Sequence, residues 1–408
     1  VSRKWVEKEG LHWVERGIIS SEQYNQILSL YEDKKHAFGM LPLMGSILVG
    51  LGVLSFVAAN WQDIHELFRL GMIVALMVAL YAGGELFSRH GSQRLGIALM
   101  ALGLISFGGG IVLVGQMFHL IAYDIASFIV WGTVGTLLTY FYRRRFLYLI
   151  SILIFTGAQW YSVNGMHHFS AVAFGVMLTG LGVYLWKHQD VLLAWCFSVS
   201  CIIQAIMLTV SQDWKFLWWF VSAMALYALG DWWKNRGTGY ALQAVPLIGA
   251  FIFNIAAVIF YDVTREGDFR HILPEPSYFL LAMTVLFGIS VAGKIKRKRG
   301  ITAFEWILAV PFAFLPAGAD VLYLLTLFFF SLYVLWTGYA EEWRCKINFG
   351  MVLFIVASMV AYGKLTWAFM NKSLFFIIGG LLLFALSWFL GRKKKQFFDQ
   401  AEGGRRHD

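Results

Sequence analysis

Apolar runs of about twenty residues recur along almost the whole chain, divided by short polar gaps, and neither a period of two nor a soluble amphipathic pattern replaces them for long. A lipid core about 30 Å thick takes roughly 20 apolar residues per helical crossing, because backbone N–H and C=O groups find no water there. The pattern predicts an all-α, polytopic transmembrane helix bundle of about 14 crossings. They run approximately Gly39 to Asn60, Leu67 to Phe87, Leu95 to Phe118, Asp124 to Phe141, Phe146 to Ser162, Phe169 to Trp186 and Val191 to Ser211. The second set is Trp214 to Trp233, Tyr240 to Tyr261, Ser277 to Gly293, Ile301 to Pro316, Asp320 to Ala340, Ile347 to Gly363 and Ser373 to Leu390.

The gaps alternate between rich and poor in Lys and Arg, which sets an orientation, since cytoplasmic loops retain positive charge. With the N-terminus cytoplasmic, 15 basic residues fall in inside loops and 6 in outside loops, and each cytoplasmic tail holds 6 more. Ile301 to Pro316 is the weakest crossing, short and carrying Glu305 and Pro311. Were it not to cross, the basic run Arg392, Lys393, Lys394 and Lys395 would end outside. Both termini are therefore expected in the cytoplasm.

Composition agrees: 59% hydrophobic, 17% aromatic and 14% charged residues, with mean hydropathy +0.65, exceed what a water-soluble fold carries. The formal charge of +9 reflects the inside bias and suits anionic lipid head groups, so membrane lipids are the expected partners. Nothing in the spacing of basic and aromatic residues suggests nucleic acid.

Three regions follow: a cytoplasmic helical hairpin over residues 1–38, the bundle over 39–391, and a basic tail over 392–408. In the hairpin a helix ends at Gly17 and a second begins at Ser20, with Gln23 three residues on in capping-box spacing. Tyr24, Ile27, Leu28 and Tyr31 form an apolar stripe. Such a stripe docks on the partner helix, the membrane face, or a protein partner. Residues 1–38 lack the apolar core of a cleavable signal.

Ionisable residues inside a membrane are the default functional pointers. Glu85 and Glu305 lie one or two turns from the cytoplasmic ends of their crossings, within reach of water or a basic neighbour. Asp124 and Asp320 stand at outer helix starts, where a carboxylate caps N–H groups. Deeper polar positions are amides. Asn60, Gln116, Gln159 and Gln204 fall toward the outer halves of their helices, and with His119, Asp124 and the deeper Asn254 they make a candidate polar cavity. The competing explanation is helix-to-helix hydrogen bonding.

No ligand spacing marks a metal site, and no phosphate-binding loop or nucleophile elbow is present, so neither a cofactor nor an enzymatic activity is expected. Cys196, Cys201 and Cys345 show no disulfide or metal pattern and are expected to be packing residues.

Gly45, Leu48, Leu51, Gly52, Ser55 and Phe56 repeat 51 residues later as Gly96, Leu99, Leu102, Gly103, Ser106 and Phe107. Of these, Gly45, Gly52 and Gly103, with the run Gly108, Gly109 and Gly110, are expected to let helix backbones approach closely. The segment GSILVGLGVLSFVAANW (Gly45 to Trp61), preceded by the charged hairpin with its GIISSEQ and followed by FGGGIVLVGQMFHL (Phe107 to Leu120), resembles a family of predicted bacterial membrane proteins known as a domain of unknown function. The likeness covers roughly the first 150 residues. It implies a helical bundle in a bacterial cytoplasmic membrane and brings no assigned activity.

Two functions remain open. One is an uncoupled transporter or lipid/amphiphile translocator, for which Pro246, Pro311 and Pro316 would break helices at a site. The other is a non-transporting sensor, assembly factor or scaffold acting through the N-terminal hairpin. A wet cavity near Gln116, Gln204 or Asn254 favours the first, and paired amides in a dry bundle favour the second.

Overall fold

The computed structural model describes residues 9–10, 12–30, 48, 64–118, 125–260, 273–297, 304–315 and 318–366, with residues 377–381, 383–385, 388 and 391–392. The expected crossing Gly39 to Asn60 lies outside them except for one residue, and Ser373 to Leu390 is described only in part. The chain divides into two compact units, residues 1–73 and 74–408. Among the described residues every regular element is a helix.

In the first unit residues 12–30 show the turn and the second helix expected there, and Tyr31 of the apolar stripe lies outside the described residues. Gly17 takes φ +68°, the left-handed conformation that ends a helix. Helix α1 (Ser21–Leu30) follows a complete capping box: Ser20 N–H donates to Gln23 Oε1 at 2.9 Å, and Gln23 N–H donates to Ser20 Oγ at 3.2 Å. Gly10 lies against the Tyr24 ring so closely that a Cβ there would stand 2.6 Å from it. Tyr24 of the apolar stripe thus meets the preceding helical segment.

Beyond α1 the helices are α2 (Glu66–Arg89), α3 (Gln93–Met117), α4 (Ala126–Tyr142) and α5 (Arg145–Met166). Next, α6 (Ala171–Met177) continues through a π-helical turn, Leu178–Gly182, into α7 (Val183–His188). Then come α8 (Val191–Ser211), α9 (Trp218–Trp232), α10 (Arg236–Phe260), α11 (Pro276–Lys296), α12 (Ala319–Ala340) and α13 (Arg344–Thr366). Eight helices among the described residues are long and apolar enough to cross a membrane. Their outward faces are apolar, as at Leu153, Leu281 and Trp336, which fits lipid and not water.

Contacts between chain turns show that successive helices of the second unit alternate in direction. Tyr142 bonds Glu85 at 2.8 Å, Arg144 bonds Gln93 at 2.6 Å, and Arg145 pairs with Asp190 at 2.5 Å. Thr238 bonds the Gln189 carbonyl at 3.0 Å, Arg236 pairs with Glu341 at 2.7 Å, and Arg297 bonds the Trp232 carbonyl at 2.8 Å. Loops assigned to the basic side from charge alone therefore lie together. At the other ends, Lys364 pairs with Asp320 at 3.2 Å and reaches the Val258 carbonyl at 3.4 Å. Asp320 is thus an ion-pair partner inside the first turn of α12, and the N-cap position belongs to Gly318.

Close approach depends on glycine at chosen points. A Cβ on Gly96 would stand 2.6 Å from the Gly84 carbonyl oxygen, so α2 and α3 meet backbone to backbone. Gly108 makes room for the Trp131 indole, whose N–H donates to the Leu104 carbonyl at 2.7 Å. Gly109 faces open space and plays no such part.

Two expectations about proline separate here. Helix α10 runs unbroken through Pro246. Residues 304–315 instead form two short 3-10 helices, Phe304–Ala309 and Phe312–Phe314, with Pro311 between them. This segment still runs the length of α11: Glu305 contacts Lys294 near one end, and the Phe314 ring lies 6.1 Å from that of Phe279 near the other. The segment expected to be the weakest crossing is irregular, and its residues 305 to 314 extend along α11 from Lys294 to Phe279.

Candidate functional site

Irregular backbone at membrane depth persists where protein satisfies its polar groups. Asn254 on α10 does so, donating from Nδ2 to the Leu308 carbonyl at 2.9 Å, and the Tyr323 hydroxyl accepts from Ala313 N–H at 3.0 Å. The broken segment thereby holds Glu305 and Trp306 against α9 and α11.

There the chain gathers a polar cluster. Lys294, only 5% exposed, places Nζ 3.1 Å from Glu305 Oε2 and 3.1 Å from the Tyr227 hydroxyl. Tyr227 also donates to Glu305 Oε2. One turn along α9, Asp231 is 1% exposed; Ser290 Oγ donates to its Oδ2 at 2.5 Å and Gln243 Nε2 to its Oδ1 at 2.6 Å. The Trp306 indole N–H donates to Ser290 Oγ at 3.3 Å, joining the two halves.

Two glycines allow this density. A Cβ on Gly230 would meet Gln243 at 2.6 Å and the Gly239 carbonyl oxygen at 2.8 Å. One on Gly293 would meet the Trp232 ring at 2.7 Å. Each stands beside an ionisable member, Asp231 or Lys294, so the helices close where these side chains face inward.

A narrow cavity of about 40 Å³ opens beside the cluster between α10, α12 and α13. It has room for a few waters at roughly 10–15 Å³ each. Tyr240, Gln243, Glu305 and Lys346 line its polar end. Leu247, Phe251, Phe330 and Leu353 line the rest, extending about 16 Å along α10 at its ordinary rise.

Of the residues expected to form a polar cavity, the described ones, Gln116, Gln159, Gln204 and Asn254, do not line this one. Gln159 is buried and fully engaged, donating to the Ser170 carbonyl at 2.8 Å and accepting from Ser170 N–H at 3.1 Å. Gln204 donates to Met177 Sδ and Ser200 Oγ, both at 3.0 Å, while its buried Oε1 has no partner. Asn254 bonds Ala250 and Leu308, and its Oδ1 likewise has none. Gln116 is exposed on α3. Asn60, His119 and Asp124 lie outside the described residues. Among the described residues no three His, Cys, Asp or Glu side chains come together, and Cys196 and Cys201 are free.

Of the cluster, only Glu305 stood out in the sequence. Asp231 and Lys294 stand at the ends of apolar runs, where Lys294 reads as a loop cation. A signal exists all the same: Tyr227 and Asp231, and Ser290 and Lys294, are each four apart, placing two polar groups on one helix face twice over.

A second irregularity, the π-helical turn, frees carbonyls that two tyrosines take up. Tyr140 donates to the Gly180 carbonyl at 2.9 Å and Tyr148 to that of Leu181 at 3.3 Å. No curated protein and no solved structure matches the chain. The cluster at Tyr227 to Glu305 lies past the stretch for which a family match exists. Residues 11–148 match the model of a family described as Predicted membrane protein (DUF2157), so this part of the chain is similar to a family of predicted membrane proteins of unknown function.

Proposed function

We propose that the protein is a transporter that moves a lipid or another amphiphile across a bacterial cytoplasmic membrane without catalysing a reaction. In this reading about fourteen crossings leave both termini, and the face holding Arg145, Arg236, Lys294 and Lys346, in the cytoplasm. The observation that carries it is the amphipathic cavity: a polar end with Glu305, Gln243 and Lys346, continued by an apolar slot toward Phe251. Once widened from a volume that now holds a few waters, the first would suit a head group and the second an acyl chain. The broken crossing supports the same reading, because two short 3-10 helices can rearrange beside the slot at less cost than an intact helix.

Purified full-length protein in phosphatidylcholine–phosphatidylglycerol vesicles, carrying a trace of fluorescent phosphatidylethanolamine, tests it. Transport predicts that an external quencher reaches both leaflets, and that Leu247→Trp, which fills the slot, slows the exchange. Vesicles that protect half the fluorophore at any protein load would reject the reading.

The alternative is a non-transporting protein whose N-terminal hairpin binds a partner. The paired amide of Gln159 and the small cavity volume support it, as does the well-formed capping box that orders the hairpin. Capture of a partner dependent on residues 1–38, together with inactive vesicles, would favour it.

A further inference from the structure

The polar cluster holds two carboxyl groups and one ammonium, and the ammonium is engaged. Lys294 lies against Glu305 and Tyr227, while Asp231 takes part in no ion pair among the described residues. Both Asp231 oxygens accept from neutral donors, Ser290 and Gln243. The charged or titratable groups that face Asp231 are Lys294 from α11, Glu305 from the first 3-10 helix and Tyr227 on its own helix. Helix α8 carries no charged residue, and Arg236, the one charged residue of α10, pairs with Glu341.

With Glu305 balanced by Lys294, an ionised Asp231 would leave one whole negative charge unbalanced in a site closed to water. Two neutral hydrogen bonds do not offset that cost. We infer that Asp231 is a proton-binding site, un-ionised in the arrangement described and able to exchange its proton with the cavity beside Gln243. In the protonated form Asp231 Oδ1–H donates to Gln243, whose amide is turned so that its oxygen accepts, and Ser290 still donates to Oδ2. The amide's orientation is free to serve either form.

On release the Gln243 side chain swings aside to admit a cavity water to Asp231 Oδ1, the Oδ1–H bond breaks, the electron pair stays on the carboxylate and the proton passes to that water. The amide then turns back to donate, and the new charge is shared with Lys294 across the cluster. Gln243 stands between Asp231 and the cavity, so the exit needs that side chain to move and not the helix pair to open.

Infrared spectroscopy of the full chain in lipid nanodiscs, stepped from neutral to alkaline pH in H2O and D2O, tests the inference. The expected result is an un-ionised carboxyl C=O band at neutral pH that shifts in D2O and fades on alkalisation. It should be missing in Asp231→Asn and retained in Glu305→Gln. Asparagine preserves shape and hydrogen bonding; were that variant nevertheless not to fold, Ser290→Ala should shift the band's frequency without removing it.

A wild-type spectrum lacking the band, a band that survives in Asp231→Asn, or a frequency indifferent to Ser290→Ala would overturn the inference. Coupling of this proton to a cargo would rest on the transport reading. The band itself does not, so vesicles inactive in lipid exchange would leave it standing.

Discussion

Lys294 Nζ lies 3.1 Å from Glu305 Oε2, eleven positions apart in the chain, joining a regular helix to a broken one. A buried ion pair adds little or no net stability over an apolar replacement, but loss of one partner strands the other. Lys294→Met should therefore lower unfolding stability by about 3 kcal/mol, near the low end for such losses because 22% of the Glu305 side chain is exposed. The double variant Lys294→Met with Glu305→Gln should recover most of that loss. Thermal unfolding in detergent checks both, and equal loss in single and double variants would contradict the pairing.

Asn254 supports the irregular crossing through the Leu308 carbonyl. Asn254→Leu removes the donor and leaves a buried acceptor unpaired, which costs about 1–3 kcal/mol. The loss should be local. Hydrogen exchange over residues 304–315 is expected to rise more than exchange in α5, whose Gln159 contacts are remote from the change. Uniform acceleration would show that Asn254 serves general packing instead.

At the charged cluster, Gly293 leaves no room for a side chain beside Trp232. Gly293→Val should force α9 and α11 apart and cost about 1–3 kcal/mol as an overpacked contact. Gly109→Ala, where open space surrounds the added methyl, should be near neutral or slightly stabilising through helix propensity. Melting temperatures of the two variants should thus move in different degrees, and similar losses would count against close helix approach at Gly293.

Much of the bundle was legible because hydrophobic run length and loop charge are properties of the chain alone. The capping box at Ser20 and Gln23, and the common face of Arg145, Arg236 and Lys346, follow directly from such local signals. Proline was less readable. Pro246 sits within an unbroken helix, whereas Pro311 parts two 3-10 segments. The difference lies in tertiary partners: Asn254 and Tyr323 compensate the backbone around Pro311. The charged cluster was hidden for the same reason. Lys294 ends an apolar run and precedes a basic loop, so only packing against Tyr227 shows that it turns inward.

Alternation of the helices makes a prediction about sidedness that is independent of any function. Glu341 contacts both Arg236 and Lys346, while Asp320 contacts Lys364, so the two ends of α12 belong to different faces. In a background with Cys196, Cys201 and Cys345 replaced by Ala or Ser, single cysteines at Lys187, Lys234 and Glu342 should react with a membrane-impermeant maleimide from one side alone. Cysteines at His168, Asp213 and Ser277 should react only from the other. The positive-inside rule makes the first set cytoplasmic, so intact cells should label the second set and require lysis for the first. An irregular 304–314 segment that turned back instead of crossing would put Glu342 on the same side as Asp213; labelling of both in intact cells would therefore reject the crossing.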